Sequence, residues 1–303
     1  MTRRVGAIDL GTNSTRLLVA DVDVDGGGLE EVERLLTITR MGDRVDAQGR
    51  LAPESMERVR TVVDGYRERA VELGASPVLA IATSAARDAA NGREFVESLG
   101  GDPVRTAILT GEEEARMTFR GVTSARPVVA ATLVCDIGGG STELVLGGPG
   151  GVEWATSLNM GCVRLSERHL HDDPPTPGQV AELRAAAAAQ IPADLRPSAM
   201  IGVAGTITTL ATIHLGLAEE IPELVDGTEL TRDDVEQRLA SLAAMPLAEL
   251  RTVRGLMPAR APTIVAGSAI LAELLRATGC DRLTVSERDV LHGAALTAAE
   301  LDG

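Results

Sequence analysis

The hydrophobic pattern changes period along the chain, and each change marks an element. Val128 to Val134 is a continuous apolar run that reads as a buried strand. It leads into Cys135-Asp136-Ile137-Gly138-Gly139-Gly140-Ser141-Thr142-Glu143-Leu144, where Asp136 ends the strand and three glycines let the backbone turn. Thr142 to Leu146 then alternates, so the chain leaves as a second strand, and a third is expected over 152–157. The N-terminus repeats this order, with strands expected over 5–10, 16–24 and 33–40. Antiparallel strands before any helix exclude a Rossmann opening, where a helix follows the glycines. Further strands are expected over 77–82, 104–109, 200–204 and 283–285. Helical spacing predicts a helix over 53–73, with Pro53 in its first turn and Met56, Val59, Val63 and Tyr66 on one buried face. A turn into a helix is expected over 159–168, with Arg164 and Arg168 on one face; other helices are expected over 179–190, 233–243, 261–278 and 289–301, and 219–229 reads as an acidic surface loop.

The first turn is a second copy of the glycine turn. Ile8-Asp9-Leu10-Gly11-Thr12-Asn13-Ser14-Thr15-Arg16-Leu17 matches the later stretch position by position: Asp9 falls on Asp136, Gly11 on Gly138, Ser14 on Ser141 and Arg16 on Glu143. Unshielded N–H groups in such a turn form an anion nest. Gly11, Thr12, Asn13 and Ser14, and Gly138, Gly139, Gly140 and Ser141, are therefore candidates to grip phosphate groups. Gly205-Thr206-Ile207-Thr208-Thr209 is a third glycine–hydroxyl turn, opening a helix. Gly205 and Thr206 could present N–H groups to an anion, or Thr206 could simply cap the helix.

Thr110-Gly111-Glu112-Glu113-Glu114 starts another helix, with Thr110 and Glu113 spaced for a capping box. Three acids exceed what the helix dipole needs, which leaves Glu114 over. Arg87, after the polar turn Thr83-Ser84, is a candidate for charge stabilisation. His169, His171, His214 and His292 are dispersed and read as surface or core residues.

Composition narrows the function classes. The net charge of −15 disfavours nucleic acid and anionic membranes as partners. Aromatics are 1% of residues, which argues against a base-stacking platform. All 29 basic residues are arginine, so a Gly-Lys-Ser/Thr phosphate loop and lysine Schiff bases are excluded. Three scattered cysteines show no metal spacing or disulfide framework, and Cys135 reads as core. No apolar run has the length of a signal core or membrane span, so a cytoplasmic protein is expected.

Six stretches together resemble the exopolyphosphatase / guanosine pentaphosphate phosphatase family, in its order and over nearly the whole chain. They are 9–14, 83–87, 111–116, 136–143, Gly161-Cys162-Val163-Arg164-Leu165 and Ala204–Leu210. The resemblance implies an α/β, actin-like (ribonuclease H-like) two-domain fold of mixed sheets flanked by helices, with the active site in a cleft between domains. The expected domains are 1–122 plus 288–303 and 123–287, the last helix packing back on the first. The implied activity is Mg²⁺-dependent (or Mn²⁺-dependent) hydrolysis of a terminal phosphoryl group from polyphosphate or guanosine pentaphosphate. Glu114 stands where the family has its catalytic base, and Asp136 and Glu143 look like the metal-associated pair, with Asp9 as a further metal candidate. A homodimer is implied by resemblance alone. Longer members carry extra C-terminal helical domains that help hold long chains. With no evident guanine-stacking residue, short-chain polyphosphate is the expected substrate. Two other classes compete: an actin-like kinase and a non-catalytic sensor of polyphosphate or guanosine polyphosphates. Near 259–263, many relatives have an aspartate where Pro262 stands, a change expected to affect packing more than chemistry.

Overall fold

A computed structural model describes residues 1–301; the last two positions of the expected first domain, 302 and 303, lie outside the described residues. The chain divides into two compact units: Met1–Pro127, joined by the segment that begins at Arg288, and Val128–Glu287.

The first unit opens with strands β1 (Thr2–Leu10), β2 (Ser14–Asp23) and β3 (Leu29–Ile38), an antiparallel meander. Helices α1 (Val45–Gln48) and α2 (Pro53–Glu72) lead to β4 (Val78–Ala82). Then come α3 (Ser84–Asp88), α4 (Gly92–Glu97), β5 (Val104–Ile108) and α5 (Gly111–Thr123). The sheet order is β3-β2-β1-β4-β5, with β4 and β5 parallel to β1. Alternate residues of the central strands serve two cores. Ile8, Leu10, Leu17 and Val19 pack with Val59, Val63 and Tyr66 of α2. The buried stripe of α2 begins at Ser55, one position before the expected Met56, which is half-buried.

The second unit repeats the plan. Its meander is β6 (Thr132–Ile137), β7 (Thr142–Gly148) and β8 (Gly151–Leu158). It continues through α6 (Cys162–His169), α7 (Pro177–Ala188), β9 (Ala199–Val203) and α8 (Gly205–His214). The remainder is α9 (Pro222–Val225), β10 (Glu229–Thr231), α10 (Arg232–Ala243), α11 (Leu247–Leu250), α12 (Ala261–Thr278) and β11 (Arg282–Val285). The order β8-β7-β6-β9-β11 reproduces that of the first sheet, with β10 added antiparallel at the edge. Two mixed sheets of one core strand order, each flanked by helices and each in its own compact unit, match the expected α/β architecture of mixed sheets in two domains.

Two expectations need correcting. The apolar run from Val128 is not all strand: β6 starts at Thr132, where its register with β7 and β9 begins, and Val129 is 88% exposed. The 219–229 stretch is not all loop, since it holds α9 and the start of β10.

The last helix, α13 (Val290–Ala298), belongs to the first unit. Its Val290, Leu291, Ala294 and Ala295 cover the other face of the first sheet, against Val5, Ala7, Leu18 and Ala20. Two glycines let it lie close on α5. A Cβ at Gly121 would fall 2.0 Å from the Asp289 carbonyl oxygen, and one at Gly293 2.0 Å from that of Met117. Among the described residues no helix is long and apolar enough to cross a membrane.

Candidate active site

Both glycine turns close in the same way. The Gly11 N–H donates to the Ser14 carbonyl at 3.0 Å, and the Gly138 N–H to the Ser141 carbonyl at 3.0 Å. A Cβ would lie 2.9 Å from that carbonyl at Gly11 and 3.2 Å at Gly138, so side chains are disfavoured there. In each turn a following segment ties down the carbonyls. Gly42 N–H donates to Thr12 O, and Thr39 and Arg40 N–H donate to Asn13 O. In the second unit the first amides of α6 do this: Cys162 to Gly138 O, and Val163 and Arg164 to Gly139 O, while Arg164 Nε reaches Gly140 O at 2.7 Å. The N–H groups of Thr12, Asn13, Gly139, Gly140 and Ser141 have no protein acceptor among the described residues. Donors without acceptors, braced from behind, are what an anion nest requires.

Strand register assembles the rest of the first unit's site. Leu10 of β1 is level with Ala82 of β4, and Ala82 with Ile108 of β5. The first turn, the start of α3 and the start of α5 therefore share one sheet edge, outside the carboxyl ends of the parallel strands, where ligands bind in open α/β sheets. Thr12 Oγ1 and Ser84 Oγ are 2.9 Å apart. Arg87, on α3, donates from Nη1 to the Leu109 carbonyl at 2.9 Å and to Glu114 Oε2 at 3.1 Å. The three acids of α5 separate by function. Glu112 pairs with Arg116 in solvent, and Glu113 completes the capping box with Thr110. Glu114 turns inward and is only 6% exposed.

Asp9 is buried at the end of β1, opposite Arg16 on β2. Arg16 donates from Nε and Nη2 to Asp9 Oδ2 at 2.9 and 2.6 Å, and from Nη1 to Asp289 Oδ2. Asp289 Oδ1 caps α13 through the Leu291 N–H. The Asp289 N–H donates to His292 Nδ1 at 3.2 Å, leaving Nε2 to meet Glu31 at 2.9 Å. Burial pushes the Asp9 carboxyl up, against the pull of Arg16. Burial also opposes charge on Asp289, yet Arg16 and His292 outweigh it and hold that carboxyl well below the usual range. Asp9 Oδ1 is buried with no hydrogen-bond partner among the described residues. Sequence reading missed Asp289, His292 and Glu31, and took Arg16 only as a charged position in the repeat. The one available signal was that Arg16 replaces the acid of the second copy.

In the second unit Asp136 stands opposite Glu143 across β6 and β7, both buried. Ser157 Oγ donates to Glu143 Oε1 at 2.7 Å. Asp136 is also level with Val203, so Gly205 opens α8 at the same sheet edge as the second turn. Thr206 does not cap α8: the N-cap is Ala204, at φ 72°, with no side-chain capping bond. Thr206 instead packs on α12, where a Cβ at Gly267 would lie 2.3 Å from its Oγ1. The Gly205 carbonyl accepts from Arg260 Nη1 at 3.2 Å.

Asp136 and Glu143 are two buried carboxylates facing each other, a donor chemistry that can serve a divalent ion. Among the described residues no group of three or more His, Cys, Asp or Glu side chains gathers into a metal site.

The family model described as Ppx/GppA phosphatase matches residues 18–300. Exopolyphosphatase 2 of Mycobacterium tuberculosis is 37% identical, with 98% of each chain covered. A crystal structure of an exopolyphosphatase-like protein superposes with a TM-score of 0.90 at 33% identity, over 98% of this chain and 99% of that one. The Aquifex aeolicus Ppx/GppA member gives 0.83 at 29% identity, over 99% and 98%.

Proposed function

The chain belongs to the Ppx/GppA phosphatase family, and from that premise we propose that it is an exopolyphosphatase, removing the terminal phosphoryl group of short inorganic polyphosphate. One observation carries the reading: in the first unit, contacts run from the phosphate turn through Thr12 and Ser84 to α3, and along α3 to Arg87 and the buried Glu114.

Phosphoryl transfer needs positioning, charge neutralisation and an oriented nucleophile more than covalent help. The free amides of the two turns, with those of Gly205 and Thr206, hold phosphate oxygens. Glu114 orients a water and takes its proton as the water oxygen attacks the terminal phosphorus. The P–O bond to the chain breaks in line, releasing orthophosphate and a chain one phosphate shorter. Arg87 fixes the Glu114 carboxylate and offsets charge that builds on the phosphoryl oxygens. Mg²⁺ (or Mn²⁺) on Asp136 and Glu143 would supply further charge neutralisation when bound.

Guanosine pentaphosphate is the second reading, and the aromatic residues weigh against it. Tyr66, Phe95 and Phe119 are buried, and Trp154 is partly buried against the second unit's core, so no aromatic ring among the described residues stands fully open to a purine. Three free cysteines fit the reducing cytoplasm; a homodimer is carried over from the family resemblance. The test is phosphate release from short polyphosphate, long polyphosphate, guanosine pentaphosphate and ATP, side by side. Fastest turnover of short polyphosphate is expected. No release from any substrate would favour a sensor, acceptor-dependent ATP use a kinase, and a preference for guanosine pentaphosphate would overturn the substrate.

A further inference from the structure

Positive-φ strain among the described residues gathers at the glycine turns. Three residues other than glycine have positive φ, which brings Cβ against a backbone carbonyl oxygen. They are Arg40 at 48°, Arg44 at 58° and Ala204 at 72°. Ala204 opens α8 at the third turn. Arg40 and Arg44 flank Gly42, whose N–H holds the Thr12 carbonyl of the first turn. At nine other positive-φ positions the chain carries glycine, which adopts them without steric penalty. Position 40 therefore keeps a side chain that its backbone would do better without.

The backbone of Arg40 is held from both sides. Its N–H donates to the Asn13 carbonyl at 2.9 Å, beside that of Thr39. Its own carbonyl accepts from Ser55 Oγ and from the Asp43 N–H, each at 3.2 Å. Both neighbours are buried: Thr39 Oγ1 lies 2.9 Å from Thr15 Oγ1, and Met41 packs in the core with Ile8 and Leu10. Arg40 between them is exposed, and its guanidinium has no hydrogen bond or ion pair among the described residues. Every bond that fixes this residue is made by its backbone, so no contact within the protein accounts for its side chain. Strained residues of this kind cluster at active sites and ligand clamps. This one starts a single hydrogen bond away from the first turn, whose Thr12 and Asn13 amides have no protein acceptor among the described residues. A guanidinium is a planar fork that pairs phosphate oxygens two at a time.

We infer that Arg40 is a substrate-contact residue, whose strained backbone presents an unpaired guanidinium beside the first turn for the phosphoryl oxygens of inorganic polyphosphate. The inference rests on the exopolyphosphatase reading above and deepens it. Braced amides hold the phosphate in place, and Arg40 adds one formal charge on a stem long enough to follow the chain.

Arg40→Gly is the experiment, because it removes the guanidinium and relieves the strain together. A residue kept for packing would lose stability on this change, whereas one kept for binding keeps or gains it. The expected Tm, by circular dichroism, is unchanged or raised by up to about 4 °C. KM for short polyphosphate should rise about tenfold, the loss of a charge-assisted contact, with kcat within about twofold. Arg40→Lys, which keeps both charge and strain, should recover most of the affinity. Arg4→Gln is the control: it removes the same charge at the far end of β1, ~20 Å from the turn, and should leave KM unchanged. Binding of tripolyphosphate is read separately by calorimetry, on Glu114→Gln with and without Arg40→Gly. Unchanged KM and Kd in Arg40→Gly, a loss of affinity accompanied by a lower Tm, no recovery with lysine, or an equal loss in Arg4→Gln would each overturn the inference. No phosphate release from the unmodified chain, with tripolyphosphate still bound more weakly once Arg40 is gone, would sink the hydrolase reading and support the contact; no binding of tripolyphosphate at all would overturn both.

Discussion

Replacing Glu114 by Gln isolates the proposed base. The swap keeps side-chain shape and leaves an amide oxygen to accept from Arg87 Nη1 at the 3.1 Å contact. It leaves the helix cap intact, because Thr110 and Glu113 make the capping box. The structural cost is mainly the change from a charge-assisted to a neutral hydrogen bond, about 1 kcal/mol, or a fall in Tm of about 2–4 °C. The chemical cost is larger. Losing a positioned general base slows turnover by about 10²–10⁴-fold, equivalent to ~2.7–5.5 kcal/mol of barrier. The expected result is therefore a large fall in kcat with polyphosphate affinity kept, read from phosphate release and from calorimetric binding of short polyphosphate. Glu113→Gln is the control: it alters the exposed cap and should cost stability without slowing turnover. Unchanged kcat in Glu114→Gln, or affinity falling in step with rate, would refute the assignment.

Chelation by EDTA should abolish phosphate release and added Mg²⁺ restore it; full activity in the chelated enzyme would exclude the metal. Gly161→Ala would set a Cβ 2.3 Å from the Gly139 carbonyl oxygen. That displaces the second turn, so KM for polyphosphate should rise, by steady-state kinetics, more than kcat falls. Asp289 has a folded-state pKa below its unfolded value, so its stabilisation is complete above the usual aspartate pKa of ~3.9 and is lost as pH falls toward the folded value. Asp289→Asn keeps a capping side chain but lacks this dependence. Urea unfolding should show a stability gap to the unmodified protein that is constant near neutrality and narrows in acid; a gap that widens in acid would contradict the ion pair.

The parts of the site that lie close in sequence were legible in it. The duplicated turn, the Thr110 cap and the surplus Glu114 are local patterns, and local geometry decides them. The Arg16–Asp289 pair spans 273 positions, and no periodicity connects β2 to the last helix. Family resemblance implied that this helix returns to the first domain, but not which side chains it brings. The early start given to β6 fails for another reason. Hydrophobicity alone does not make a strand: pairing does, and 128–131 precede the ladder. Thr206 was equally ambiguous, since a hydroxyl near a helix start caps it unless tertiary packing claims the side chain, as α12 does here.

A chain of net charge −15 that handles a polyanion needs local reasons for doing so. Remote acids fade beyond a Debye length of ~8 Å at physiological salt, so the contacts within that distance decide binding. On the proposed reading those are mainly backbone donors, in turns whose carbonyls are already satisfied by Thr39–Gly42 in one case and by α6 in the other. A braced turn has little freedom to lose when phosphate arrives, and it donates without carrying a formal charge. Arginine can then be reserved for fixed tasks: Arg87 on Glu114, Arg16 on Asp9 and Asp289, and Arg164 on the Gly140 carbonyl. None of the three is the surface point charge of a nonspecific polyanion binder. Recognition by amides in fixed turns would select for the spacing of phosphoryl oxygens rather than for negative charge as such, and would let an acidic protein prefer polyphosphate to nucleic acid.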